Sequence, residues 1–187
     1  MAMTERHETF TSMDHSTAEE WSVIIAETVE HQPRVAESVL AMLQSLAGII
    51  DGFAVDQLTH CLQTAARAEA AGADEELIVA SLCHDIGKAV SVANHPRIAA
   101  EILKPYVRDE VYWTIAVHQD FQGRHYYAHL GLDPDAREQY RGEPYFELAE
   151  RFADEWDQTS FDPAGPIPPL SHFEPMVHRV FSHPHQI

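Results

Sequence analysis

Residues 81–90 read SLCHDIGKAV. The apolar run that begins at Leu77 ends in an imidazole and a carboxylate side by side, His84 and Asp85, followed by Ile86, Gly87 and Lys88. Two polar groups at the inner end of a core helix are costly unless something there satisfies them, because an unpaired buried polar group loses its water without replacement. The stretch therefore requires either partners at this point or an exposed helix.

Outward from it, helical patterning covers the chain. Residues 74–87, DEELIVASLCHDIG, start at the capping residue Asp74. Residues 55–72, VDQLTHCLQTAARAEAAG, are alanine-rich and stop at Gly72, a residue suited to the left-handed end of a helix. Residues 16–31 open with Thr17-x-x-Glu20, a capping box, and place Trp21, Ile24, Ile25 and Val29 at helical spacing. A further helix is expected from Pro33 to Gly48. Others are expected over His95–Lys104, Val107–His118, Pro134–Tyr140 and Tyr145–Asp157. A last one opens at Ser171-x-x-Glu174, with Pro175 limiting where it can begin. No hairpin or repeat signal competes, and the proline-rich residues 161–170 read as an extended loop. The expectation is one all-α domain over residues 1–187, loosely ordered at residues 1–16 and 182–187.

Composition narrows the function. The 187 residues carry 30 acidic against 12 basic side chains, a formal charge of −18. That balance opposes general nucleic-acid binding, which relies on Lys and Arg at phosphates, and adhesion to anionic membranes. With two cysteines, Cys61 and Cys83, no apolar leader and no run of membrane-spanning length, a reducing cytoplasmic location is expected.

The 13 histidines are the unusual feature. His7, His15 and those of the tail lie in polar surroundings. His60 stands between Leu58 and Leu62, His84 follows Leu82, His95 opens a helix, and His118 ends TIAV. Asp157 closes FADEWD, with Asp154 three residues earlier. One such histidine is commonly a satisfied core residue. Four, with an adjacent aspartate, would leave many buried polar groups wanting partners, and a metal satisfies them together. Imidazole and carboxylate without thiolate suit Fe, Mn, Co, Ni or Zn and oppose a structural cysteine–zinc site.

His60, His84-Asp85 and Asp157 resemble the H…HD…D signature of the HD-domain superfamily, all-α metal-dependent enzymes, over about residues 50–160. With His95 and His118 the set resembles the two-metal branch. HCLQTAARAEAAGAD (60–74) is similar to the first-ligand helix of the HD-domain diiron oxygenases, both the inositol and the hydroxyphosphonate type. NHPRIAAEIL (94–103) and FADEWDQ (152–158) resemble the phosphonate enzymes, which favours Asp157 over Asp154, and HDIGK (84–88) resembles the inositol enzyme. The chain departs from them in a short Asp85–His95 loop. It also has Ile50 and Phe53 where the phosphonate enzymes carry tyrosine and glutamate. Arg124 stands near, not at, their phosphonate-binding lysine.

The resemblance implies a mixed-valent Fe(II)/Fe(III) pair bridged by Asp85, with His60, His84 and Asp157 on one iron and His95 and His118 on the other. It implies oxidative cleavage of a C–P or C–C bond in a small anionic or polyhydroxylated substrate, using dioxygen. Lys88 and Arg124 are the candidate substrate contacts. Gln63 and Asp56 are candidates to orient His60, Asp56 alternatively as a helix cap, and Tyr126 and Tyr127 are candidates for the pocket wall. The alternative is an HD phosphohydrolase acting on a nucleotide or other phosphate ester with Mn or another divalent ion. The HD-GYP type is disfavoured because no HHE or GYP triplet occurs. A protein that keeps the site and only binds is the third class.

Overall fold

The computed structural model describes residues 10–32, 34–182, 184 and 185. Pro33, the N-terminal segment through residue 9, and residues 183, 186 and 187 lie outside the described residues, and with them the expectations made for Pro33, for His7 and for parts of both ends. Among the described residues the chain forms helices and no strand. They are α1 (Ala18–His31), α2 (Arg34–Ser45), α3 (Gln57–Ala70), α4 (Glu75–Cys83), α5 (His95–Leu103), α6 (Asp109–Gln122), α7 (Phe146–Arg151) and α8 (Leu170–Phe181).

α4 is the central helix. Every residue from Leu77 to Cys83 is buried, as an all-apolar helix requires. It starts at Asp74, whose Oδ1 accepts from the Leu77 amide at 3.1 Å. α3 precedes it through a turn in which Gly72 takes φ 75°, the left-handed conformation expected of a C-terminal glycine. α3 packs along α4, α5 along α6, and α8 closes over α2 and α4. The main core runs through Leu43, Leu46, Leu82, Ile86, Leu103, Ile115, Phe152, Phe173 and Phe181, and a smaller one gathers Phe121, Phe146 and Ala153 beside Trp113 and Tyr140.

Several elements differ from the sequence reading. α4 ends at Cys83, short of the expected end at Gly87, and Ile86–Ala89 forms a 3₁₀ turn. α6 begins two residues later than expected and runs past His118 to Gln122. Residues 136–140 form only a 3₁₀ turn, after Asp133 Oδ1 accepts from the Asp135 amide at 2.9 Å. The helix after Tyr145 changes to π winding over Phe152–Asp157. α8 starts at Leu170 behind Pro169, so Ser171 lies inside the first turn and makes no cap. α1 has its capping box, yet none of its residues is buried: Ile25 and Val29 are more than half exposed.

Candidate metal centre

Five elements deliver six side chains to one place. His60 sits in the second turn of α3, His84 caps α4 and Asp85 follows it. His95 is the first residue of α5, His118 lies in the last turns of α6, and Asp157 ends the π turn. All six are buried. The π winding matters here, since such turns are rare and concentrate at functional sites. It sends Asp157 inward while Asp154 points away to Arg137 and His125.

Each histidine is held the same way. The Nδ1–H of His60 donates to the Ser160 carbonyl at 2.9 Å, that of His84 to Ser81 at 2.8 Å, that of His95 to Val92 at 2.8 Å and that of His118 to Ile115 at 2.7 Å. A carbonyl only accepts, so the proton of each neutral ring lies on Nδ1 and the lone pair on Nε2. The four Nε2 atoms face inward. His60 Nε2 and His84 Nε2 are 3.0 Å apart, and Asp157 Oδ1 lies 3.1 and 3.5 Å from them.

Asp85 divides the set. Its Oδ2 is 3.5 Å from His60 Nε2 and 3.6 Å from His84 Nε2, while its Oδ1 is 3.0 Å from His95 Nε2 and 3.6 Å from His118 Nε2. Oδ1 of Asp85 and Oδ2 of Asp157 are buried and accept no hydrogen bond from the described residues.

The ionisable groups of the set are strongly coupled. Burial pushes both carboxyls up, but the His84 imidazole with the other histidines outweighs it and holds Asp85 well below, and Asp157 below, the ordinary range. Burial likewise presses His84 down, and the Asp85 and Asp157 carboxylates lift it above its usual value. At His118 burial prevails and the imidazole is pushed down. Converging imidazole nitrogens and ionised carboxylates, two with a bare oxygen, form a donor set that a metal cation would satisfy without leaving buried charge unpaired. Two triads, His60–His84–Asp157 and His84–Asp85–His118, bring potential ligand atoms within 4.8 Å of one another.

The family profile of the HD domain matches residues 58–162. The chain belongs to the HD-domain family. A search of curated proteins returns no match. HD-domain proteins are generally metal-dependent enzymes, broadly of the hydrolase and phosphohydrolase type, that bind divalent metals. The matched segment of this HD domain contains all six converging residues, and their chemistry fits such an ion: imidazole and carboxylate, no thiolate.

Around the six, the structure sorts the remaining candidates. Lys88 Nζ donates to Asp85 Oδ2 at 2.5 Å and to Gln57 Oε1 at 2.9 Å, with its ammonium stabilised by Asp85 against the cost of burial. Arg124 is not brought to the site. It is exposed and pairs with Asp135. His125, one residue on, lines the cavity instead. Gln63 does not reach His60; its Nε2 donates to the Asp162 carbonyl at 2.5 Å and ties down the loop after Asp157. Asp56 caps α3 through the Thr59 amide at 2.9 Å. Tyr126 lines the cavity, whereas Tyr127 packs on Gly123. Cys61 and Cys83 are buried core thiols, the latter pushed up to about 12 by burial.

Three contributors have no sequence signal. Gln122 Nε2 donates to Asp157 Oδ1 at 2.7 Å. Phe161 stacks on the His60 ring with centroids 4.1 Å apart. Phe152 sets its ring edge-on to His84 at 5.5 Å. A cavity of about 550 Å³ reaches His95 and Lys88 and is walled by Gln119, Gln122, Gln158, Tyr126, Phe53 and Phe161. Among the described residues no helix is long and apolar enough to cross a membrane.

Proposed function

We propose that this HD domain is a dinuclear iron oxygenase that cleaves a C–P or C–C bond in a small hydroxylated substrate bearing one anionic group, with dioxygen as co-substrate. In this reading His60, His84 and Asp157 would hold one ion and His95 and His118 the other, with Asp85 available to both. The observation that supports two ions is the position of Asp85, one oxygen toward each histidine pair, with the poorer pair opening on the cavity through His95, and the choice of an oxygenase rests on the resemblance of residues 60–74, 94–103 and 152–158 to the diiron oxygenases. An ion with fewer protein ligands keeps positions for a chelating substrate. When bound, a mixed-valent iron pair supplies dioxygen activation and one-electron chemistry.

The chain's own residues supply the rest. Lys88 presents a stable ammonium at the cavity wall, 2.5 Å from the Asp85 carboxylate, so an anionic group entering beside it would be held next to the reacting centre. Gln122 fixes the free rotation of Asp157. The amides of Gln119 and Gln158 and the hydroxyl of Tyr126 offer hydrogen bonds to substrate hydroxyls. Phe152 and Phe161 cover the inner histidines and keep that half dry. Lys88 is the one lysine or arginine among the described lining residues, Asp51 opposes it in sign, and His125 is engaged by Asp154 at 2.8 Å. That charge suits a single anionic group better than a polyphosphate.

Family membership favours a second reading, a metal-dependent phosphohydrolase using Mn or another divalent ion on a phosphate ester. The two separate in one comparison. Protein purified without air and partly reduced under argon is expected to give the EPR signal of a coupled mixed-valent iron pair and to consume dioxygen with hydroxylated phosphonates or polyols. Protein that holds only manganese or zinc and turns over a phosphatase panel would overturn the oxygenase.

A further inference from the structure

We infer that the cavity carries an apolar subsite at its mouth, so that the substrate bears an apolar segment beyond its hydroxylated, anionic head. The inference rests on the reading of the cavity as the substrate site and adds the chemistry of the part that does not react.

Three observations support it. First, an aromatic stack leads from a buried candidate ligand to the surface. His60 stacks on Phe161 at 4.1 Å, and Phe161 on Phe53 at 4.9 Å with the rings 19° apart. The stack runs from a fully buried imidazole to a phenyl ring 46% exposed. Second, another part of the lip is Val92, 57% exposed, which lines the same cavity and whose carbonyl holds the His95 Nδ1–H. Both parts of the lip are thus tied to candidate metal ligands and lie on one cavity. Third, a tight turn presents Phe53 at the cavity. Asp51 and Gly52 take φ 48° and 84°, and the turn closes with the Phe53 amide on the Ile50 carbonyl at 2.9 Å. Asp-Gly is the pair that a turn with two positive φ angles favours, so the ring of Phe53 is set by a tight turn and by its stack on Phe161. Exposed apolar side chains that line a cavity gain when an apolar part of its ligand covers them.

Charge orders the ligand within the cavity. Lys88 lies inside, its Nζ 5.9 Å from the Phe53 ring centroid, while Asp51 stands at the lip. An anionic group is favoured inward beside Lys88 and His95 and disfavoured outward beside Asp51. The segment that reaches between Phe53 and Val92 is therefore uncharged and apolar, an alkyl chain or a ring.

The test is calorimetric binding of straight-chain α-hydroxy acids, from lactate to α-hydroxyoctanoate, to metal-replete protein held without air so that nothing turns over. Affinity is expected to rise about twofold to fourfold per added methylene until the lip is covered, the upper figure being full burial of a CH₂. Phe53→Ala, and independently Val92→Ser on the other part of the lip, should each lower the ratio of longest-chain to lactate affinity by about fivefold or more, with thermal melts confirming that the variants fold. Measurable binding whose strength does not depend on chain length, or a length dependence that survives both substitutions, overturns the subsite. No binding by any member overturns the underlying assignment of this cavity to a hydroxylated substrate with one anionic group, and the subsite with it.

Discussion

Asp85 keeps its two oxygens in different company, one toward His60 and His84 and the other toward His95 and His118, while Lys88 reaches it from the side. Lys88 is the residue whose role separates binding of substrate from binding of metal. Lys88→Met removes an ammonium but no candidate ligand. The metal content should stay, while affinity for an anionic substrate falls by about tenfold to a hundredfold, the worth of one charge-assisted hydrogen bond; titration calorimetry beside metal analysis reads both. Gly87 acts through space. A Cβ there would stand 2.3 Å from the His95 carbonyl oxygen and 2.7 Å from its Cα, backbone atoms that cannot rotate away. The ten-residue step from Asp85 to His95 is tight enough to need that contact. Gly87→Ala should displace His95, cost about 1–3 kcal/mol and weaken the His95–His118 half first. Unchanged metal binding and an unchanged melting temperature would show that the contact is slack.

At the scale of elements, the helices that carry the six residues were legible because their polar groups interrupt apolar helical runs, as His60 does between Leu58 and Leu62. What was not legible depends on how elements meet. Nothing in FADEWD announces π winding, since i→i+5 bonding in a short segment is decided by packing on α3 and α6. Gln122 reaches Asp157 only because α6 continues a full turn beyond His118. Arg124 and His125 are neighbours, and periodicity could not tell which would face the cavity once a 3₁₀ turn intervened.

Capping was more legible, and its test belongs here. Asp74 caps α4 and pairs with Arg108 at 2.8 Å. Burial pushes its carboxyl up, but Arg108 and the Leu77 amide outweigh this and hold it below the ordinary value. A carboxyl with a depressed folded pKa stabilises above its unfolded pKa and loses that contribution as pH falls through the folded one. Asp74→Ala should therefore cost about 1 kcal/mol at neutral pH, and the gap to the wild type should close below about pH 4. Urea melts across that range check it, and a gap that widens on acidification would contradict the assignment.

At the scale of the molecule, a ring of helices closes over buried carboxylates and imidazoles in a chain of formal charge −18. Without a cation the two aspartates face converging lone pairs, so the folded state gains from any ion it holds. An ion present at a hundredfold excess over its dissociation constant adds about 2.7 kcal/mol, or roughly 5–10 °C in melting temperature for a chain of this size. A chelator should lower the melting temperature by about that much, and addition of iron or manganese should restore it. α1 contributes little to this balance, since none of its residues is buried.

The most direct test of the dinuclear site is the number of metal ions per chain in protein purified without air, measured for the wild type and for His95→Ala. The account predicts two ions in the wild type, falling to about one in the variant, with the remaining ion on His60, His84, Asp85 and Asp157. One ion in both proteins, or none in the wild type, would contradict it.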